Sequence, residues 1–424
     1  MSLSFERLRQ NLTRLTSGSI LAQIVLAIST PLLTRLYAPE AFGLAALFSA
    51  AYTFLIPIIT LKYDQAIILP KSHKSASSIG AMVIFVGSAN CILLGLGLII
   101  YLNAEPKDYG YSFLLLPVAL WFGMAYTLMQ QWSSRVSNYT YFSQSQVLGA
   151  FANVAVCTLA AITFTTEPIY LVVGSTTGIA CALSYTIGKF RIWPYHMKLR
   201  EIRSLKKRIS LYRNFPTLVL PATLITVAGS NGTTFVLSHF YSIEDVGVFA
   251  VANRVLLAPA AIIGGALAEA VRSEFAARQR DRSPVSPVFR RIFFPILLLA
   301  VFFFGLIFLI PSSAFEVAFG SQYRASAPLA ESLLLATFSH FVCAPFMYVF
   351  AILRKPVSGL LGQILISLFP LGCLIGLSMY AIPLRHALSM YSIFTLIGAL
   401  AMLALVYRGC IKFDKNRKKH NEAD

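Results

Sequence analysis

Residues 75–103 read SASSIGAMVIFVGSANCILLGLGLIIYLN, a run of 29 positions without one charged side chain. As a helix rising about 1.5 Å per residue, it is more than long enough to cross the roughly 30 Å hydrocarbon core of a bilayer. Leu15–Thr34 and Ala41–Leu61 are blocks of the same kind. They belong to a 424-residue chain that is 57% hydrophobic and 12% charged. Soluble domains are roughly 45–50% apolar and about 25% charged, so no water-facing surface can be assembled here. The expected fold class is an all-α polytopic membrane protein.

Twelve blocks thread as spans, at about 15–36, 41–61, 77–101, 112–131, 147–165, 168–188, 215–238, 247–270, 292–313, 327–350, 357–380 and 387–407. The net charge of +18 would fit a nucleic-acid binder, but its distribution fits topology instead. Thirty of the 35 Lys and Arg fall at the N-terminus, in the even-numbered loops and in the tail. Arg35, Lys107, Arg324 and Arg385 fall on the other side, and Arg254 lies within a span. By the positive-inside rule both termini are expected in the cytoplasm, and no nucleic-acid partner is expected. The six cysteines are scattered without metal-ligand spacing, so neither metal nor other cofactor is expected. The basic start, Met1 to Arg14, leads into an apolar stretch too long for a signal peptide and reads as the approach to a retained first helix.

In the long loop after the sixth span, Ile202, Leu205, Ile209 and Tyr212 recur at helical spacing between Arg203, Lys206, Lys207 and Arg208. This predicts an amphipathic helix on the cytoplasmic membrane surface. The chain divides accordingly into a six-helix lobe at 1–190, a linker at 191–214, a second six-helix lobe at 215–408 and a basic tail at 409–424.

The two halves resemble each other. Leu33 to Gly43 (LTRLYAPEAFG) aligns without gaps at an offset of 204 with Leu237 to Gly247 (LSHFYSIEDVG), matching Leu, Tyr, Glu and Gly. Six helices per half make the repeats parallel, and such repeats place a substrate path between them. Pro57 and Pro259 fall at similar distances beyond the matched glycines, where a missing backbone donor bends a helix. They are the candidate gating positions, with the alternative that prolines are simply common in membrane helices.

Several stretches in order carry a family resemblance: Pro31 to Tyr37 with Phe42 and Gly43, Lys62 to Pro70 (KYDQAIILP), Tyr212 to Pro216, Asn253 to Pro259, and Phe319 and Gly320 with Tyr323. The chain resembles the bacterial polysaccharide-biosynthesis proteins, or oligosaccharide flippases, of the superfamily that also holds the multidrug and toxin extrusion transporters. The resemblance implies two six-helix lobes around a central cavity and alternating access. It implies as cargo an undecaprenyl-pyrophosphate-linked sugar repeat for O-antigen, capsule or exopolysaccharide. It implies membrane lipids, and functionally a polymerase and glycosyltransferases, as the partners.

A flippase makes no bond, but it must offer a pyrophosphate and many hydroxyls something better than hydrocarbon. Charges inside spans are costly and are functional candidates by default. Arg254 heads the substrate-binding set, because a guanidinium fits phosphate bidentately; the competing reading is that it snorkels to the outer interface. Arg35 and Lys62 bracket the mouths of the expected cavity, while Asn253, Gln23 and Asn231 could bond sugar hydroxyls or merely join helices. Asn90 and Asn153 are of the same kind. Glu331, Glu269 and Asp64 are the ion-coupling candidates. Against them stand an interfacial site for Glu331, a pairing of Glu269 with Arg272 or a loop base, and simple charge balance between Asp64 and Lys62.

Spans one to six contain no carboxylate, which disfavours a drug or cation exporter of the same superfamily. A polysaccharide polymerase or ligase would need a large outer loop and a catalytic constellation, and neither is present. The chain therefore reads as a transporter and not as an enzyme.

Overall fold

The computed structural model describes residues 2–104, 110–190, 209–281, 283–353 and 355–421. Among these the chain is about nine-tenths helical, without strands. The principal helices are α1 (Ser2–Leu36), α2 (Pro39–Thr60), α3 (His73–Ala104), α4 (Leu116–Arg135), α5 (Thr140–Thr163), α6 (Ile169–Phe190), α7 (Leu220–Phe240) and α8 (Ile243–Arg280). They continue as α9 (Ser286–Phe308), α10 (Ser312–Phe319), α11 (Ser326–Cys343), α12 (Met347–Ile352), α13 (Pro356–Gln363), α14 (Phe369–Met379) and α15 (Leu384–Asn421). Eleven stretches of described helix are long and apolar enough to cross a membrane. α8, a 38-residue helix through the segment expected as the eighth crossing, brings the number to the expected twelve or so.

Large apolar side chains face outward along these helices, among them Ile100, Leu93, Leu298 and Phe302. In water that surface would drive aggregation; in hydrocarbon it is the solvent-matched exterior. The linker expected at 191–214 lies, up to residue 208, outside the described residues. The tail expected from residue 409 continues α15 as helix to Asn421.

The chain forms two compact units, Met1–Val227 and Ala228–Asp424. Each contains one copy of the sequence repeat, and the matched tyrosines act alike in both. The Tyr37 hydroxyl donates to the Cys157 carbonyl at 2.8 Å, and the Tyr241 hydroxyl donates to the Ile382 carbonyl at 2.8 Å. Each therefore ties the end of the first helix of its unit to the fifth helix or the turn just after it. The helices that follow start differently. Pro39 opens α2, its fixed φ and absent N–H suiting the first turn. Ser242 and Asp245 form a reciprocal capping box at α8, with bonds of 3.1 and 3.3 Å.

In the first unit α2 ends at Leu61 and Lys62, consecutive residues in left-handed backbone at φ 48° and 59°. Non-glycine residues seldom adopt this conformation even singly. It throws the chain into a short 3₁₀ turn, Tyr63–Ile68. Arg135 at the end of α4 clasps that turn, donating to the carbonyls of Ile67 at 2.9 Å, Ile68 at 3.3 Å and Lys71 at 3.3 Å.

α5 and α6 cross through glycine. A β-carbon on Gly178 would lie 2.6 Å from the Gly149 carbonyl oxygen, and one on Gly149 would lie 2.8 Å from that of Gly178. In the second unit a π turn, Ile364–Leu368, separates α13 from α14. Gly229 of α7 packs against Ser367 of this turn, and Gly398 of α15 against the Leu365 carbonyl.

Candidate functional site

Five helices of the first unit enclose a cleft of about 460 Å³. α1 contributes Ser19 and Gln23, α2 Ser49 and Tyr52, α4 Tyr126, α5 Gln146 and Asn153, and α6 Ser175. Phe48, Leu26 and Ile179 supply apolar wall, and no charged residue lines the space. Every one of these polar side chains belongs to a segment long and apolar enough to span.

The local folding explains how so many polar groups are kept at that depth. The Ser19 hydroxyl donates to the Gln146 side-chain oxygen at 2.7 Å, joining α1 to α5. Tyr126 and Ser145 hydroxyls meet at 3.0 Å, joining α4 to α5, and the Asn153 oxygen accepts from the Cys157 thiol at 3.3 Å. The glycine crossing brings α6 close enough for Ser175 and Ile179 to face the same space. Uncharged amides, hydroxyls and phenols in an apolar frame can exchange hydrogen bonds with a polyhydroxylated ligand and offer rings for stacking.

Of the residues expected from sequence, Gln23 stands in this cleft, as does Asn153. Arg35 is exposed in the last turn of α1, where a cation suits the helix dipole. Lys62 is half-buried on the left-handed backbone. Asn231 lies on α7 with its amide on Ser230 at 2.9 Å. Asn253, half-buried, and Arg254, exposed, are neighbours on α8 in the second unit. Pro57 is buried within α2; position 259 falls within α8, with its side chain outside those described.

The three acidic candidates separate clearly. Glu269 bonds Arg272 at 2.9 Å, one turn along α8, and Glu331 bonds Arg385 at 3.3 Å; both carboxylates are around two-fifths exposed. Asp64 is 4% exposed, and one of its carboxylate oxygens is buried without a hydrogen-bond partner. Burial pushes its carboxyl above the usual range, and the nearby Lys62 charge and Thr60 hydroxyl only partly offset this. Charge balance with Lys62 alone would have left it low.

Sequence reasoning missed Ser19, Ser49, Tyr52, Tyr126, Gln146 and Ser175. One or two polar residues per helix carry no pattern; the signal appears only when five helices are brought together.

A family model described as polysaccharide biosynthesis protein matches residues 32–328. No curated protein matches the sequence. Among solved structures, the chain is similar to the lipid II flippase MurJ in an inward closed conformation, at TM-score 0.74 and 12% identity, over 95% of this chain and 90% of that one. It is also similar to an inward-facing multidrug resistance MATE family transporter, at TM-score 0.68 and 13% identity, over 94% and 96%. A Vibrio cholerae MATE transporter, VcmN, matches at TM-score 0.60 and 14% identity, over 97% and 98%. Identities this low speak for the fold alone, a bundle of membrane helices like those of these proteins. The family model covers well over half the sequence, including both copies of the repeat, and the chain belongs to the polysaccharide biosynthesis protein family.

Proposed function

We propose that the protein flips undecaprenyl-pyrophosphate-linked oligosaccharide repeat units across the bacterial cytoplasmic membrane, for O-antigen, capsule or exopolysaccharide synthesis. The observation that carries this reading is the uncharged, hydroxyl- and amide-lined cleft of the first unit, whose chemistry suits sugar more than a cation. Arg254, within the expected eighth span of the second unit, is the pyrophosphate ligand, with Asn253 beside it and Asn231 on the preceding helix. Arg35 and Lys62 meet the headgroup in this reading. Asp64 is the coupling residue, because its burial favours a carboxyl that can take up a proton.

Both termini are cytoplasmic in this reading, and a polymerase and glycosyltransferases are its functional associates. A drug exporter of the same fold is the second reading, favoured by the MATE-like architecture; the absence of charge from the cleft weighs against it. The test is lipid extraction from a deletion strain. Flipping requires lipid-linked repeat units to accumulate on the cytoplasmic leaflet. Normal delivery of those units to the periplasmic face, with loss only of drug resistance, would overturn it in favour of the exporter.

A further inference from the structure

The second unit holds a cavity of opposite character. It has a volume of about 470 Å³ and lies between the start of α13 and α15. Lys355, Arg408 and Lys412 line it, with the Ser358 hydroxyl, and with Val357 and Leu405 as apolar wall. Arg408 and Lys412 are four residues apart on α15 and so share a face. Lys355 reaches across from the turn before α13, and its ammonium donates to the Gly409 carbonyl at 3.2 Å.

Three cations thus border one space, Lys355 half-buried and Arg408 and Lys412 exposed. Burial pushes the Lys355 ammonium down from its usual range, and the Lys412 charge pushes it the same way. No carboxylate lines the cavity, and no ion pair among the described residues involves any of the three. The acid nearest in sequence, Asp414, is committed elsewhere: it accepts from the backbone N–H of Val285 at 2.9 Å and of Ser286 at 3.0 Å, and from the Ser286 hydroxyl. It therefore caps α9. The start of α13 has no side-chain cap, so its first-turn N–H groups add positive potential on the side of Val357 and Ser358. The repulsion among these charges and the partial burial of Lys355 are relieved by a bound anion with several acceptor oxygens.

The place identifies the anion's carrier. The cavity lies where the apolar stretches Val357–Met379 and Leu384–Arg417 reach their charged ends, the level at which headgroups sit. Val357 is 71% exposed beside the cations, offering an apolar lip to an ester or acyl chain. We propose that this cavity binds the phosphate group of an anionic membrane lipid, holding it against α13 and α15. The site lies wholly within the second unit, and the inference does not depend on what the protein transports.

The test uses the full chain in nanodiscs and counts lipids retained after delipidation by native mass spectrometry. Wild-type protein is expected to retain phosphatidylglycerol in preference to phosphatidylcholine. The variant K355Q/R408Q/K412Q is expected to lose that preference, and Lys412→Gln alone to weaken it about fivefold. K71Q/K74Q/K189Q, which removes the same charge from exposed positions of the first unit, should behave as wild type. Thermal shifts with inorganic phosphate, set against phosphatidylglycerol vesicles, separate the two sources. A shift by the lipid alone assigns the headgroup, and an equal shift by phosphate alone overturns the lipid assignment. Equal retention of both lipids by wild type, or an unchanged preference in Lys412→Gln, would overturn the site, and that single variant keeps the test valid if the triple one does not fold.

Discussion

Substituting Gly178 by alanine tests whether the wall of the first unit's cleft is rigid. The new methyl would stand 2.6 Å from the Gly149 carbonyl oxygen and 3.1 Å from the Asn153 β-carbon. Carbon and oxygen settle near 3.3 Å even in close C–H···O contacts, so α5 and α6 must part by roughly 0.7 Å. The obstacle is backbone and cannot rotate away. Overpacking of this kind costs about 1–3 kcal/mol, while alanine in place of glycine returns up to about 1 kcal/mol of helix propensity. Gly188 on the same helix isolates the second effect, since a β-carbon there meets nothing within 4 Å. Gly178→Ala should therefore melt below Gly188→Ala by about 2–4 °C for each kcal/mol of clash, measured in detergent by intrinsic fluorescence. It should also lower polymer display, because the parted helices carry Asn153 and Ser175. Equal melting of the two variants with full complementation would refute the idea of a rigid glycine-built wall.

Three further outcomes are expected. Arg254→Ala should abolish polymer display at wild-type membrane abundance while Arg254→Lys restores part of it, since lysine keeps the charge and loses the planar fork; full activity of the alanine variant would mean that the arginine only anchors at an interface. Gln23→Leu and Asn153→Leu, which keep bulk but remove hydrogen bonding, should each lower transport several-fold at unchanged abundance, as measured by the same complementation. Asp64→Asn should raise thermal stability at neutral pH and not near pH 3.5: a carboxyl held above its usual 3.8 in the fold binds its proton more tightly there, so stability is lost as pH rises through the displaced value. A neutral-pH melting temperature unchanged by Asp64→Asn would show that burial does not oppose its charge.

The bundle could be read from sequence because bilayer thickness fixes the length of an apolar block, and because a duplicated turn leaves Leu, Tyr, Glu and Gly in matched places. The tyrosines show what that match preserved, the same kind of latch in each unit. The bond of Glu269 with Arg272 was likewise legible, since three residues are about one helical turn. The cleft was not. Gln146 and Tyr52 are ordinary polar interruptions until Ser19 and Tyr126 are brought beside them by α1 and α4. Nor was the burial of Asp64, because the neighbouring Lys62 implied simple balance and nothing in KYDQAIILP announces two left-handed residues before the turn.

The π turn at Ile364–Leu368 amounts to one surplus residue in an otherwise α-helical crossing. Deleting a residue from a regular helix rotates everything after it by about 100° and carries its lipid-facing side chains into the protein. Here the surplus is absorbed locally, so α13 and α14 already stand in the phases they would have without it. A one-residue deletion inside this turn should leave both flanking faces in place, where the same deletion in the middle of α5 would scramble the cleft. The fifth helix of the second unit thus carries a tolerance for length change that its counterpart in the first does not share, and insertions or deletions among relatives should collect there.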